Sequence, residues 1–175
     1  VATVNITYSI KEQLEKIETL LKNKMVVGIK MYPGYQHFYP SDETIFPIAK
    51  LCETYNKPLI FHSGDVFDRM GTAELKYSHP IHIDNLATRY PQCNIIIAHF
   101  GFPYLMEVAA IVNKNKNVFT EISGTIDNPS QEIVNQYADD LKKTFIYYPA
   151  IKQKIMFGTD YGGEHTPLNQ VESYI

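Results

Sequence analysis

Pro58-Leu-Ile-Phe-His62-Ser-Gly64 and Asn94-Ile-Ile-Ile-Ala-His99-Phe-Gly101 decide how this chain is read, together with Lys154-Ile-Met-Phe-Gly-Thr-Asp160-Tyr161. Each is an apolar run of strand length that stops at a side chain able to bind a metal. Runs this continuous suit the strands of a parallel sheet covered on both faces. Strand ends are also where parallel barrels place their chemistry. One such run carries little weight. Three, with helical patterns between them, read as the rim of an active site.

Outward from these runs, Met25 to Met31 reads as another strand, stopped by Pro33-Gly34, and Asn117 to Ile122 as a further one. Helical periodicity fills the gaps. Leu14, Ile17 and Leu21 follow the capping-box pair Ser9 and Glu12. Ile45, Ile48, Leu51, Cys52 and Tyr55 form a second helical set, and Pro80 opens a third that runs through Leu86 to Tyr90. Tyr104 to Val112 is a fourth, and Pro129 opens a fifth through Ile133, Tyr137 and Leu141. Strict alternation of strand and helix means parallel strands joined by helical crossovers. No Gly-rich phosphate turn follows any strand, which argues against an open nucleotide-binding sheet. The strands end instead in Lys30, His62, His99, Glu121 and Asp160. The expected fold is α/β, of the (β/α)8 TIM-barrel type. It is present as a partial barrel of about five parallel strands with flanking helices, without the first three of the eight. One domain over residues 1–175 is expected. The chain opens on Val1, and Leu168 to Ile175 begins a helical pattern, so the natural protein is expected to be longer at both ends.

Composition narrows the function classes. The chain has 175 residues, 45% hydrophobic and 20% charged, with net charge −3, an ordinary balance for a protein with one sizeable core. No basic stripe points to nucleic acid. The apolar runs fall far short of the roughly 20 residues of a membrane helix, and no signal-peptide pattern stands at the start. Neither nucleic acid nor membrane is therefore expected as a partner. Cys52 and Cys93 have no neighbours at metal spacing and read as buried small hydrophobes in a reducing, cytoplasmic compartment. Exposed parallel edges of a partial barrel invite association, so a homo-oligomer stays open.

The chemistry-bearing residues follow from the strand ends. His62 and His99 tip neighbouring strands, where neutral imidazoles can converge on a metal. Asp160 adds a carboxylate, giving a donor set suited to zinc or another divalent ion. A carboxylate beside a metal-activated water can take its proton and pass it on. His62 alone reads more readily as a satisfied structural histidine; its recurrence with His99 and Asp160 changes that weighting. The loop Gly64 to His79 is long enough to be functional, and its Arg69 can clamp a substrate carboxylate, a plain surface arginine being the alternative. Tyr32, Tyr35, Phe38 and Tyr39 can roof a pocket or pack the core. Glu121 can support a histidine from behind, with a structural role equally open. His79-Pro80 reads as a helix entry, and His37 and His165 as solvated loop residues.

Together, Gly28-Ile-Lys30-Met-Tyr-Pro33, the His62 and His99 runs with Arg89-Tyr-Pro91, and Phe157-Gly-Thr-Asp160-Tyr161 resemble the amidohydrolase superfamily, in its amidohydrolase-related branch. That branch holds hydrolases, lactonases and nonoxidative decarboxylases. The resemblance covers essentially the whole chain, as the family's strands four to eight, and so implies the C-terminal portion of a metal-dependent hydrolase barrel. It implies one divalent metal, expected to be zinc, with His62 and Asp160 as ligands. His99 is a ligand or an acid/base group, and Asp160 shuttles the proton of the metal's water. Lys30 matches the family's strand-four lysine and, with Tyr32 and Arg69, is expected to meet substrate. The strand-one His-x-His pair of the family is absent from this sequence. The leading expectation is hydrolysis of a small carboxylate-bearing or cyclic molecule. A decarboxylase on the same scaffold and an inactive half-barrel that binds a partner are the alternatives, with a TatD-like nuclease disfavoured by the acidic charge.

Overall fold

The computed structural model describes residues 1–6, 9–67, 70–125 and 130–160. Its centre is a sheet of six parallel strands: β1 (Ala2–Thr3), β2 (Ile29–Met31), β3 (Leu59–Phe61), β4 (Ile95–Ile97), β5 (Val118–Ile122) and β6 (Ile155–Phe157). Their order in the sheet is their order in the chain. A doubly wound sheet reverses its order at a switch point. A monotonic order with right-handed crossovers instead sets every helix on one side, as in a barrel wall. All five expected strands are present. The sixth, β1, was missed: Ala2 and Thr3 carry no hydrophobic run, and the strand exists only because they pair with Ile29 and Lys30.

The helices are α1 (Ile10–Lys22), α2 (Pro33–Gln36), α3 (Phe46–Thr54), α4 (Leu75–Ser78), α5 (Ile81–Arg89), α6 (Leu105–Lys114) and α7 (Gln131–Tyr147). Short 3-10 turns at Glu43–Ile45, Ala98–Gly101 and Pro149–Lys154 join them to their neighbours. Proline positions explain two starts: Pro47 falls in the first turn of α3, and Pro80 is the N-cap of α5. The expected capping box at Ser9 does not form, since its side chain makes no cap hydrogen bond. At α7 the cap is Ser130, whose hydroxyl accepts from the Ile133 amide at 3.4 Å. The start assigned to Pro129 lies outside the described residues.

Two rows of strand residues face the helices and are fully buried: Ile29, Leu59, Ile95 and Val118, then Met31, Phe61, Ile97 and Thr120. Residues in register on adjacent parallel strands share a face. The intervening row, Lys30, Ile60, Ile96 and Phe119, is only partly covered. The expectation of equal burial on both faces is thus corrected. The core lies between sheet and helices, where each buried aliphatic side chain contributes about 1.5–3 kcal/mol. The strand expected from Met25 also shortens to Ile29. Lys57 Nζ donates to the Asn23 and Val26 carbonyls, and Asn23 Oδ1 accepts from the Met25 amide. Those bonds hold residues 23–27 in a turn, with Met25 85% exposed.

Candidate active site

Because the strands are parallel, their C-terminal ends share one edge of the sheet. Lys30 lies in β2, His62 follows β3 directly, His99 stands two residues after β4, Glu121 lies in β5, and Asp160 stands three residues after β6. The His62 and His99 rings meet edge to face, with centroids 4.9 Å apart. Tyr32 stacks on His62 at 6.0 Å, and Tyr35 meets the same ring edge-on at 5.2 Å. Lys30 Nζ lies 5.6 Å from the Tyr32 ring centroid.

Both imidazoles are tied at one nitrogen to a carbonyl. His62 Nε2 bonds the Asp65 carbonyl at 2.8 Å, and His99 Nδ1 bonds the Ser123 carbonyl at 2.8 Å. A carbonyl only accepts, so each of those nitrogens carries the hydrogen, and the other nitrogen of a neutral ring keeps its lone pair. Metal-binding histidines use this same arrangement, with the outer N–H held by a carbonyl or carboxylate. His62 stays neutral over a wide range: burial, then the neighbouring His99 and Lys30, push its pKa down to about 3, against the bond to Asp65. Burial also lowers the Lys30 pKa, partly offset by the charges of Glu121 and Asp160. The Tyr32 phenol is raised by burial and by Asp160.

Asp160 is exposed, and its backbone adopts the left-handed region at φ 48°. Its carboxylate and His99 Nδ1 both border Gly124, where any Cβ would collide with the carboxylate and approach Nδ1 to 3.1 Å. Gly124 also has φ 58°, so glycine is required there twice over. The two histidines therefore fit a metal's requirements. Among the described residues, however, no three His, Cys, Asp or Glu side chains form a ready metal cluster.

The remaining expectations divide. Arg69 and His165 lie outside the described residues. The aromatic run separates: Tyr32 and Tyr35 face His62, Phe38 is buried in the core, and Tyr39 packs on Tyr77 and His82. His79 Nδ1 accepts from the Ile81 amide at 3.3 Å, which is a helix-entry role. His37 Nε2 bonds the Thr72 carbonyl and stacks on Tyr77, binding the long loop to the segment after β2. Glu121 meets His99 chiefly through the backbone rather than the ring: Oε1 accepts the His99 amide at 2.8 Å and lies 3.8 Å from Nδ1. Sequence reading missed the two carbonyls, of Asp65 and Ser123, that orient the rings. Backbone groups have no residue-type signature, so no signal was available.

The family model for amidohydrolases matches residues 4–167. The chain belongs to the amidohydrolase family. Among solved structures, this chain is similar to a TIM-barrel protein of Bordetella bronchiseptica (18% identity, 98% of this chain, 56% of that one, TM-score 0.74). It is also similar to the 5-carboxyvanillate decarboxylase of Novosphingobium aromaticivorans, complexed there with manganese (14%, 94% and 54%, TM-score 0.61). The dihydroorotase of Campylobacter jejuni is a third (20%, 90% and 48%, TM-score 0.53). At these identities the likeness is one of fold. The chain spans about half the length of the solved proteins it matches. No curated protein matches it. No helix among the described residues is long and apolar enough to cross a membrane.

Proposed function

We propose that this amidohydrolase is a metal-dependent hydrolase acting on a small carboxylate-bearing or cyclic substrate. His62, His99 and Asp160 are the protein's ligands to the metal. The reading is carried by the pair of rings 4.9 Å apart, each pinned at one nitrogen to a carbonyl, with the Asp160 carboxylate beside the second. When bound, a divalent metal supplies water acidified to near neutrality. Two imidazoles and a carboxylate suit zinc, and the manganese of the decarboxylase is the alternative. Asp160, exposed at the rim, accepts the water's proton and returns it to the leaving group. Lys30 makes no ion pair among the described residues and is free to meet a substrate carboxylate, with Tyr32 and Tyr35 as flanking walls and Arg69 as a second clamp. The setting that fits is cytoplasmic, with a small molecule rather than nucleic acid or membrane as partner, and the open sheet edges suit a homo-oligomer.

A second reading, nonoxidative decarboxylation of an aromatic acid, is favoured by the tyrosine walls and by the likeness to the decarboxylase. The ring–carboxyl bond breaks, carbon dioxide leaves, and the electron pair left on the ring carbon takes a proton relayed by Asp160. The two readings part in labelled water. The protein is incubated with zinc or manganese and a panel of lactones, cyclic amides and aromatic acids. Oxygen-18 entering the product marks hydrolysis. Carbon dioxide release with deuterium at the vacated carbon marks decarboxylation. Metal binding with neither outcome sinks both and favours an inactive binding scaffold. Lys30→Met is expected to raise KM about tenfold or more, with a smaller fall in kcat, as loss of a charge-assisted contact requires.

A further inference from the structure

We infer that Glu121 is a positioning residue, whose carboxylate sets His99 and the Asp160 segment in their working relation. The inference deepens the proposed function, since it matters to chemistry only if His99 acts at the site. Its basis is geometric. After β4 the chain turns through His99, Phe100 and Gly101, all in the left-handed region at φ 60°, 47° and 57°. Two of these are not glycine, and residues held there cost of order 1–3 kcal/mol each unless the surroundings hold them.

Strand β5 supplies the hold. Thr120 Oγ1 donates to the Ile97 carbonyl at 2.8 Å, Glu121 Oε1 accepts the His99 amide at 2.8 Å, and the Ser123 carbonyl accepts from the His99 ring at 2.8 Å. Only the middle contact is charge-assisted, and it acts on the strained residue itself. The other carboxylate oxygen, Oε2, is buried and has no hydrogen-bond partner among the described residues. A buried orphan acceptor is rare enough to need a reason. Its position offers packing rather than a hydrogen bond. Oε2 lies against Gly158, where a Cβ would stand 2.8 Å from it and 3.2 Å from the Ser123 Cβ. One carboxylate thus grips the His99 turn with one oxygen and packs against the strand end leading to Asp160 with the other. The gap at Gly158 is the space that Glu121 and Ser123 occupy.

The test reads the His99 ring directly by nitrogen-15 NMR of the full chain without metal, with the signal assigned by its loss in His99→Asn. The wild-type ring is expected as a single tautomer, protonated on Nδ1. Glu121→Ala is expected to give a mixture of tautomers and a manganese affinity lower by about 10–100-fold, as for other groups that orient ligands. Glu121→Gln, which keeps an acceptor for the His99 amide, is expected to restore the tautomer and bring affinity within about threefold of wild type. Gly158→Ala, two residues from Asp160 and remote in sequence from His99, is expected to disturb the His99 tautomer through Oε2. It carries the test should Glu121→Ala fail to fold. A folded Glu121→Ala that keeps the single tautomer overturns the inference, as does a Gln variant as disturbed as Ala. Should the tautomer respond as expected while no metal binds and no substrate turns over, the functional reading fails and the positioning role stands.

Discussion

At His62 a single proton links the stability of the fold to the proposed metal site. Burial, then His99, hold its pKa at about 3, while an unfolded histidine titrates near 6.5. Between those values the unfolded chain binds a proton that the folded chain refuses, so stability rises with pH. The contribution is complete above about pH 6.5 and is lost as pH falls toward 3. In the metal-free protein the loss between pH 6.5 and 5 is at most about 2 kcal/mol. Urea unfolding of wild type and His62→Gln at both pH values is expected to show the steeper decline in wild type. Parallel declines would mean the folded ring protonates freely. At this scale the sequence announced the ring but not what holds it, because the partners of His62 and His99 are carbonyls contributed by loop folding.

At the scale of elements, the helix ends facing β5 and β6 are closed by side chains from elsewhere in the chain. Asn117 Nδ2 donates to the carbonyls of Ala87, Tyr90 and Cys93 at 3.3, 3.0 and 2.9 Å. Lys154 Nζ donates to those of Val112 and Asn115 at 2.9 and 2.7 Å. Carbonyls at a helix C-terminus lack partners within the helix, so these donors replace the missing ones. Asn117→Ala is expected to cost about 1–3 kcal/mol, since buried acceptors are left unmade. Chemical denaturation measures it, and a loss under about 0.5 kcal/mol would show that water substitutes freely. Strand periodicity located β3, β4 and β5 within a residue or two. It overran β2 by four residues at the start, because Lys57 and Asn23 fold Met25 to Val27 into a turn that no local pattern encodes.

At the scale of the whole molecule, the described residues form an open arc of barrel wall whose core lies between sheet and helices. Cys52 and Cys93 sit in that core with no exposure, and burial raises both thiols, Cys93 to about 12 and Cys52 higher still. Thiolate is the reactive form. A disulfide reagent at pH 8 is therefore expected to find neither cysteine in the native protein and both after denaturation. Immediate reaction in the native state would mean that the arc does not close its own core. The site, by contrast, is on the partly covered side. There Lys30 and Phe119 lie in the less buried row of the sheet, and Met156 of β6, in register with Glu121, is 38% exposed.

The alternation of apolar runs and helical periods was enough, read residue by residue, to determine a single-wound parallel architecture and to place five polar strand ends on one rim. Those features depend on side-chain type and spacing, which a sequence displays directly. The family match agrees with that reading. Only the tertiary structure decided that β1 exists, that His99 stands in a left-handed turn, and that one Glu121 carboxylate reaches both the His99 turn and Gly158. Each depends on atoms brought together from distant parts of the chain, chiefly backbone groups. Hydrogen bonds to backbone place no demand on residue type at the accepting position, so they leave no trace in sequence.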